Sequence, residues 1–147
     1  MIDKSWIGNN TCQLEVEVEK GQLRFFAKAV GETNPIYTDE SAAQAAGYRS
    51  LPAPPTFLFS LNLAQPDPLA RYLEMGIDLA KLLHGSQLFE YFAPICAGDR
   101  IRLESTITDI AEKKGGALEL VVEETTARNQ MDELVGKATQ TLVIRHG

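Results

Sequence analysis

A proline-rich stretch, residues 31–59, constrains this chain more than any other part of its sequence. It opens with the polar turn Glu32-Thr33-Asn34-Pro35 and closes with Pro52-Ala53-Pro54-Pro55 ahead of an apolar run. Proline fixes its own φ and keeps the preceding residue out of the helical region. The first motif is therefore predicted to be a rigid turn and the second an extended segment. Such a segment suits a loop that holds polar groups over another part of the molecule.

The apolar run that follows, residues 56–64, reads TFLFSLNLA. Pro55 suits the first turn of a helix, where its missing N–H costs nothing. A helix that is apolar nearly all round is usually buried. We therefore expect a buried central helix over residues 56–64, which ends before Pro66.

The amino-terminal part of the chain predicts one strand and two helices. Residues 11–19 alternate apolar and polar side chains, as a half-buried strand does. Residues 22–30 repeat apolar side chains at helical spacing, which predicts an amphipathic helix. A short helix over residues 40–46 follows, with Thr38 or Asp39 as its N-cap.

The carboxyl-terminal part is dominated by strand patterns. Residues 69–83 are weakly helical, with an interruption near Gly76. Four strands are then predicted, over residues 86–92, 100–108, 118–126 and 134–145. Ile110 falls out of phase with the second of these strands, which indicates a bulge or bend. Helices first and antiparallel strands after them are typical of the α+β class.

Length and charge narrow the possible functions. A chain of 147 residues is expected to form one domain, residues 1–147. Its net charge is −6 and it has no basic cluster, which argues against nucleic acid or an anionic membrane as a partner. No apolar run approaches the roughly 18 residues that a membrane span needs, and no secretory signal is recognised. A reduced, cytoplasmic protein is the expectation.

Cysteine and histidine are scarce. The two cysteines, Cys12 and Cys96, lie far apart, and no CxxC or HExxH spacing is present, so we expect no metal site. The only histidines are His84 and His146, and the second lies almost at the end of the chain. This count excludes a histidine-rich site.

The order of several motifs resembles the MaoC-like hydratase/dehydratase family, in its amino-terminal-type branch. That family carries a Gly-Asp-x-Asn-Pro-apolar-His pattern, and this chain has Gly31-Glu32-Thr33-Asn34-Pro35-Ile36-Tyr37. The resemblance continues through residues 53–57, 83–87 and 97–99, and so covers most of the chain. It implies a hot-dog fold, in which a curved antiparallel β-sheet wraps around a central α-helix. It also implies hydration or dehydration of 3-hydroxyacyl or enoyl thioesters carried by coenzyme A or acyl carrier protein, with no other cofactor.

Two departures from the family pattern bear on catalysis. The family's catalytic aspartate and histidine positions are occupied here by Glu32 and Tyr37. Glu32 keeps a carboxylate, but a phenol with a pKa of about 10 donates or orients a proton and hardly abstracts one. His84 is the remaining candidate base. The plainer alternatives are a solvated turn carboxylate, a packed tyrosine and a hydrogen-bonded histidine at the end of a strand.

The resemblance also implies a set of substrate-binding residues. Asn34 is a candidate to hold water or the thioester carbonyl, and Arg49 to meet a phosphate of coenzyme A. In the family, backbone amides at the start of the central helix stabilise the enolate-like oxygen. Pro54 and Pro55 have no N–H, so Thr56 and Phe57 are the first residues here that can donate. Asn34 as a turn-closing residue and Arg49 as an ordinary surface arginine are the alternatives.

Three functions follow from these residues. The first is a thioester hydratase/dehydratase that uses Glu32 with Tyr37 or His84. The second is a non-catalytic hot-dog subunit that binds the acyl chain for a catalytic partner. The third, an acyl-CoA thioesterase, ranks lowest because residues 56–64 contain no carboxylate. The fold leads us to expect at least a homodimer, or a hetero-oligomer with a related hot-dog subunit, with the substrate groove at the interface.

Overall fold

The computed structural model describes all residues from 1 to 147. Its α-helices are α1 (Lys20–Ala29), α2 (Glu40–Ala45), α3 (Phe57–Asn62) and α4 (Ala70–Glu74). Its strands are β1 (Asn10–Glu17), β2 (Leu82–Tyr91), β3 (Arg100–Lys113), β4 (Leu118–Arg128) and β5 (Leu134–Arg145). Single turns of 3-10 helix lie at Lys4–Trp6, Pro35–Tyr37, Leu79–Lys81 and Lys114–Gly116. None of the helices is long and apolar enough to cross a membrane.

The five strands form one curved antiparallel sheet in the order β1-β3-β4-β5-β2. Strands β1 and β2 are its two edges, so each has one side without a strand partner. The predicted α+β class is confirmed. The bulge that Ile110 predicted is also present, because the register between β3 and β4 shifts between Ile107 and Asp109.

Most element bounds differ from the sequence prediction by a few residues, and two of these differences concern the elements around the central helix. Strand β2 begins at Leu82, so the last residues of the weakly helical stretch 69–83 belong to the sheet. The interruption near Gly76 is confirmed, since Gly76 has a φ of +77° and follows α4 closely. The other difference concerns the central helix: α3 has six residues rather than the nine predicted.

Helix α3 is buried on one side only. Phe57, Leu58, Leu61 and Asn62 are buried, whereas Leu63, just after the helix, is 49% exposed. The expected buried central helix is therefore confirmed on the face that meets the sheet, whereas Phe59 and Ser60 on its other side are half-buried because the sheet of a single chain covers only one face. Close packing on that face depends on Gly136 of β5, where a Cβ atom would lie 3.3 Å from Leu58 Cδ2.

The core consists of two apolar clusters separated by a strip of polar side chains. One cluster contains α3 residues together with Leu103, Ala127 and Ala138, and the other contains Ile107, Val121 and Leu142. Between them, the inward-facing residues of β3, β4 and β5 are polar and buried. We call this strip the polar seam, and its members are Ser105, Glu123, Thr125 and Gln140.

Glu123 is the charged centre of the polar seam and is fully buried. Arg71 of α4 lies against it, with Nε 3.0 Å from Oε1. Thr11 Oγ1 donates to Oε1 at 2.6 Å and Tyr72 Oη donates to Oε2 at 2.9 Å. Gln140 Nε2 also donates to Oε2. The carboxylate thus has partners from β1, α4 and β5, as a buried charge requires.

Candidate functional site

An open, mostly apolar cleft of about 360 Å³ lies beside the start of α3. This volume falls within the usual range for small-molecule sites. The cleft is lined by Tyr37, Tyr48, residues 52–55, Leu58 and residues 91–95. The proline-rich segment reaches this place because it pairs with the chain after β2. Ala53 N–H donates to Ile95 O at 2.7 Å, and Ala97 N–H donates to Leu51 O at 2.8 Å.

The polar turn before the cleft is held together by its own side chains. Glu32 Oε1 accepts from the backbone N–H groups of Thr33 and Asn34, both at 2.9 Å. Asn34 Oδ1 accepts from Ile36 N–H at 3.2 Å and caps the short helix that carries Tyr37. Both polar side chains therefore act locally in this structure. For Asn34, the turn-closing alternative describes its observed contact.

Tyr37 is the member of this turn that lines the cleft. Burial raises the pKa of its phenol, and the neighbouring Glu32 carboxylate and Tyr48 raise it further. The hydroxyl therefore holds its proton at neutral pH. Tyr37 is suited to donate a hydrogen bond to a ligand and unsuited to remove a proton from one.

The backbone donors expected at the start of α3 already have partners. Thr56 N–H donates to the hydroxyl of Tyr91 at 3.0 Å, and Phe57 N–H donates to Pro54 O at 3.1 Å. Thr56 also has a left-handed backbone, with a φ of +76°, which is costly for a β-branched residue. The two amides predicted to bind an oxyanion are thus not free in this structure.

Tyr91, at the end of β2, was not singled out by the sequence. It lies at the end of an edge strand, and no pattern distinguishes it from other partly exposed aromatic residues. Its ring stacks on Phe89 at a centroid separation of 6.1 Å, and its hydroxyl accepts from Thr56 N–H, directly after the cleft-lining residues 52–55. Burial raises the pKa of Tyr91.

His84 lies away from the cleft, near the start of edge strand β2. It is exposed, its Nε2 is 3.1 Å from Gln87 Oε1, and its ring meets Phe59 edge to face. The structure therefore brings Tyr37 close to Glu32 but does not bring His84 to them within one chain. Its observed contacts are those of the plainer alternative, a hydrogen-bonded strand-end histidine.

Arg49 is held by a buried carboxylate. Its Nη1 and Nη2 donate to the two carboxylate oxygens of Asp99, at 2.9 and 3.0 Å. Asp99 is fully buried and also accepts from Cys96 N–H and Gln130 Nε2. Burial by itself would raise the pKa of Asp99, but these bonds outweigh burial and lower it. Both Nη atoms of Arg49 are therefore already bound to a carboxylate. No contact in the structure supports the predicted phosphate site at this residue.

Comparison with known proteins identifies the family to which the chain belongs. The sequence pattern of a family described as "FAS1-like, dehydratase domain region" matches residues 5–138. The chain belongs to this FAS1-like dehydratase family. A relative from Streptomyces avermitilis, named UPF0336 protein, is 38% identical over 115 residues, which are 78% of this chain and 77% of the relative.

Two solved structures support the same assignment. A chain of the HadBC (3R-hydroxyacyl-ACP dehydratase) complex from Mycobacterium tuberculosis is 28% identical, with a TM-score of 0.76 over 94% of this chain and 96% of that one. A MaoC-like dehydratase is 25% identical, with a TM-score of 0.85 over 98% of this chain and 43% of that one. The predicted MaoC-like resemblance and hot-dog fold are confirmed.

The cleft of this FAS1-like dehydratase chain is better suited to bind an apolar ligand than to transfer protons. Its lining is mostly apolar with three tyrosines, Tyr37, Tyr48 and Tyr91, and the nearby Glu32 carboxylate is bound to its own turn. No histidine lines it. Dehydration needs both a base and an acid in contact with the substrate, and the ionisable residues that line this cleft are tyrosines, which serve as acids.

Proposed function

We propose that this chain is the acyl-chain-binding subunit of a 3-hydroxyacyl thioester dehydratase, and that a related hot-dog subunit supplies the catalytic base. One observation carries the proposal: the ionisable residues that reach the cleft are tyrosines, and the nearby Glu32 carboxylate is bound by backbone amides. A subunit of this kind holds the acyl chain and the thioester while another chain performs the proton transfer.

Exposed apolar side chains next to the cleft support a partner subunit. Edge strand β2 and the segment after it expose Leu83 (49%), Leu88 (57%), Tyr91 (46%) and Phe92 (57%). An unpaired edge with apolar side chains is normally covered in the native assembly. Tyr91 and Phe92 also line the cleft, so a subunit docked at this edge would lie against the bound thioester.

The known relatives agree with a two-subunit arrangement. HadBC is a complex, and it is a 3R-hydroxyacyl-ACP dehydratase. By analogy, the substrate of this chain is a 3-hydroxyacyl or enoyl group on acyl carrier protein or coenzyme A. A homodimer that performs its own turnover with Glu32 and Tyr37 is the competing arrangement.

The first test assays the purified chain alone with enoyl-CoA substrates of several lengths. We expect saturable binding by calorimetry and no hydration above the uncatalysed rate, because the cleft lacks a base. Tyr37→Phe should weaken binding because it removes one of the hydroxyl donors that line the cleft. Hydration by the chain alone that disappears in Glu32→Ala would overturn the proposal and favour the homodimeric enzyme.

A second test concerns the backbone amide of Thr56, which follows the cleft-lining residues 52–55. Tyr91→Phe removes the hydroxyl that occupies Thr56 N–H and leaves the aromatic ring in place. If the thioester carbonyl binds at this amide, the variant should bind acyl-CoA several-fold more tightly. Phe92→Leu is a matched control, since it alters the cleft wall without touching the amide. Equal affinities for wild type and Tyr91→Phe would show that the carbonyl binds elsewhere.

A further inference from the structure

His84 is turned to the inner face of the sheet by a bulge in edge strand β2. It stands opposite Leu142 of β5, which is buried, and Gln87 stands opposite Gln140, which is also buried. Residues three apart in a regular strand point to opposite faces, but here both point inward because the register shifts between His84 and Ser86. His84 therefore lies on the face of the sheet that carries α3 and the cleft.

The bulge depends on the glycine at its centre. A Cβ atom on Gly85 would lie 2.7 Å from Val143 Cγ2 and 3.0 Å from the backbone oxygen of Thr141, which leaves no room for a side chain. Bulges at sheet edges commonly re-aim a neighbouring side chain. The inward direction of His84 is thus built into the local sequence.

Gln87 fixes the proton on the His84 ring. Its Oε1 lies 3.1 Å from ring Nε2 and can only accept, so Nε2 is the donor. The amide nitrogen of Gln87 contacts Leu88 O at 3.5 Å, which agrees with this orientation. The lone pair of the neutral ring then lies on Nδ1, which has no hydrogen-bond partner within the chain. His84 is an oriented, exposed base without a group in its own chain to act on.

The surface around His84 is apolar and is not covered by the chain itself. Phe59 of α3 meets the His84 ring edge to face, and Leu63, exposed, lies one turn further along the same side of the helix. Leu83 and Leu88 are exposed on the outer side of the same strand. The free backbone edge of β2 runs between these two apolar surfaces. A related subunit that pairs with this edge therefore covers His84 as well.

Antiparallel pairing at this edge carries His84 to the neighbouring cleft. Two related subunits that join edge to edge about a two-fold axis set the start of one edge strand beside the end of the other. Full overlap of the ten residues of β2 sets His84 opposite the position of Phe89, which also points inward because it stands opposite Ala138. Tyr91, which lines the cleft, stacks on Phe89. Diagonal neighbours across strands are about 7–8 Å apart, so His84 reaches the cleft beyond the edge.

We propose that His84 is the general base in the cleft of the neighbouring subunit, and that the corresponding place in that subunit supplies the base to this chain's cleft. The inference rests on the proposed function and says where its missing base lies. In dehydration, Nδ1 takes the proton from Cα of the 3-hydroxyacyl group, and the electron pair forms the Cα–Cβ double bond. The 3-hydroxyl leaves as water with a proton from an acid of that cleft. The acid then regains a proton from solvent and the imidazolium releases one.

The test uses the full chain, tagged and purified from its source organism together with its partner subunit, with crotonyl-CoA and longer enoyl-CoA probes. Because the pair has two clefts, each must be silenced separately. Tyr37→Phe with Tyr48→Phe removes the two cleft phenols that make no hydrogen bond within the chain and silences this chain's own cleft. Adding His84→Ala should lower the remaining kcat at least about a hundredfold, the usual contribution of a general base.

Two controls distinguish a base from a structural residue. Added imidazole should restore part of the kcat lost with His84→Ala, which a structural role would not allow. Ser86→Ala lies on the same edge but on the outer face, opposite Thr141, and should keep the activity of its parent. Size-exclusion chromatography with mass spectrometry checks that every variant keeps its partner.

The outcomes separate this inference from the proposed function. If His84→Ala leaves the remaining kcat unchanged, or imidazole restores none of a loss, the role of His84 is overturned and the two-subunit dehydratase stands. Hydration by the chain alone that disappears in His84→Ala would overturn the related partner and leave His84 as the base between identical chains. A complex without hydratase activity, or no partner subunit, would overturn both.

Discussion

Two carboxylates show how differently this chain uses the same residue type. Glu32 lies in an exposed turn and accepts from the backbone of the next two residues. Glu123 lies in the polar seam and is bound by side chains from β1, α4 and β5. The first is held by its own segment and the second by distant ones. Stability should therefore depend strongly on Glu123 and weakly on Glu32, although Glu32 is the residue that the family pattern singles out.

The largest effect is expected for Glu123→Ala. The substitution leaves Arg71, itself only 8% exposed, as a buried charge without a counter-charge. Breaking a buried pair in this way costs about 3–5 kcal/mol of unfolding free energy. Urea unfolding followed by circular dichroism measures the loss. A loss below about 1 kcal/mol would mean that water reaches Arg71, and the contrast with Glu32 would fail.

Asp99 has partners of both kinds, since it accepts from Cys96 in its own segment and from Arg49 in a distant one. We expect Asp99→Asn to lower the unfolding free energy by about 1.5–3 kcal/mol at neutral pH. The folded state lowers the pKa of Asp99, so its ionised form stabilises the protein above the unfolded pKa of about 4. This contribution is lost as the pH falls through the folded pKa. The stability difference between wild type and Asp99→Asn should therefore shrink in acid, and a constant difference would contradict the assignment.

Thr56→Gly should stabilise the chain, by about 1 kcal/mol. Thr56 has a φ of +76°, a conformation that costs a residue with a Cβ about 1–2 kcal/mol and glycine much less. Thermal unfolding measures the gain. Pro55→Ala changes the preceding residue without altering this φ and serves as the control. A loss of stability in Thr56→Gly would show that contacts of the threonine side chain outweigh its backbone strain.

The smallest effect is expected for Glu32→Ala. Solvent can replace the carboxylate at the two exposed amides, so the loss should be about 0.5 kcal/mol or less. Glu32→Gln, which keeps an acceptor oxygen, should lose even less. Urea unfolding of both variants beside Glu123→Ala completes the comparison. A loss for Glu32→Ala that approaches the loss for Glu123→Ala would show that the turn is coupled to the core.

The sequence predicted those parts of the fold that local patterns specify. The alternation of apolar and polar residues predicted the bounds of β5 correctly, and the break in this alternation at Ile110 indicated a bulge that the structure contains. Asp39, one of the two proposed caps, accepts from Ser41 N–H at the start of α2. The exposed side of α3 was missed because an apolar pattern does not show whether the covering surface belongs to the same chain.

The candidate site was only partly predictable for a related reason. Tyr37 was found because it stands at a position of the family pattern, and the structure places it in the cleft. Tyr91 was missed because its hydrogen-bond partner, Thr56, lies in a remote segment of the chain. Arg49 was assigned to a ligand because nothing in the sequence connects it to Asp99, fifty residues away.

The polar seam also limits how the sheet can assemble. A strand that slips by one residue turns every side chain to the wrong face, but a slip by two keeps the in-and-out alternation. Here the pairing of β4 with β5 sets Glu123 opposite Gln140. A slip of two residues would set it opposite Ala138 or Leu142, where the charge would face a hydrocarbon. The polar seam thus disfavours two-residue slips that hydrophobic patterning alone would permit. In a sheet with a uniformly apolar interior, such slips would bury no unpaired charge.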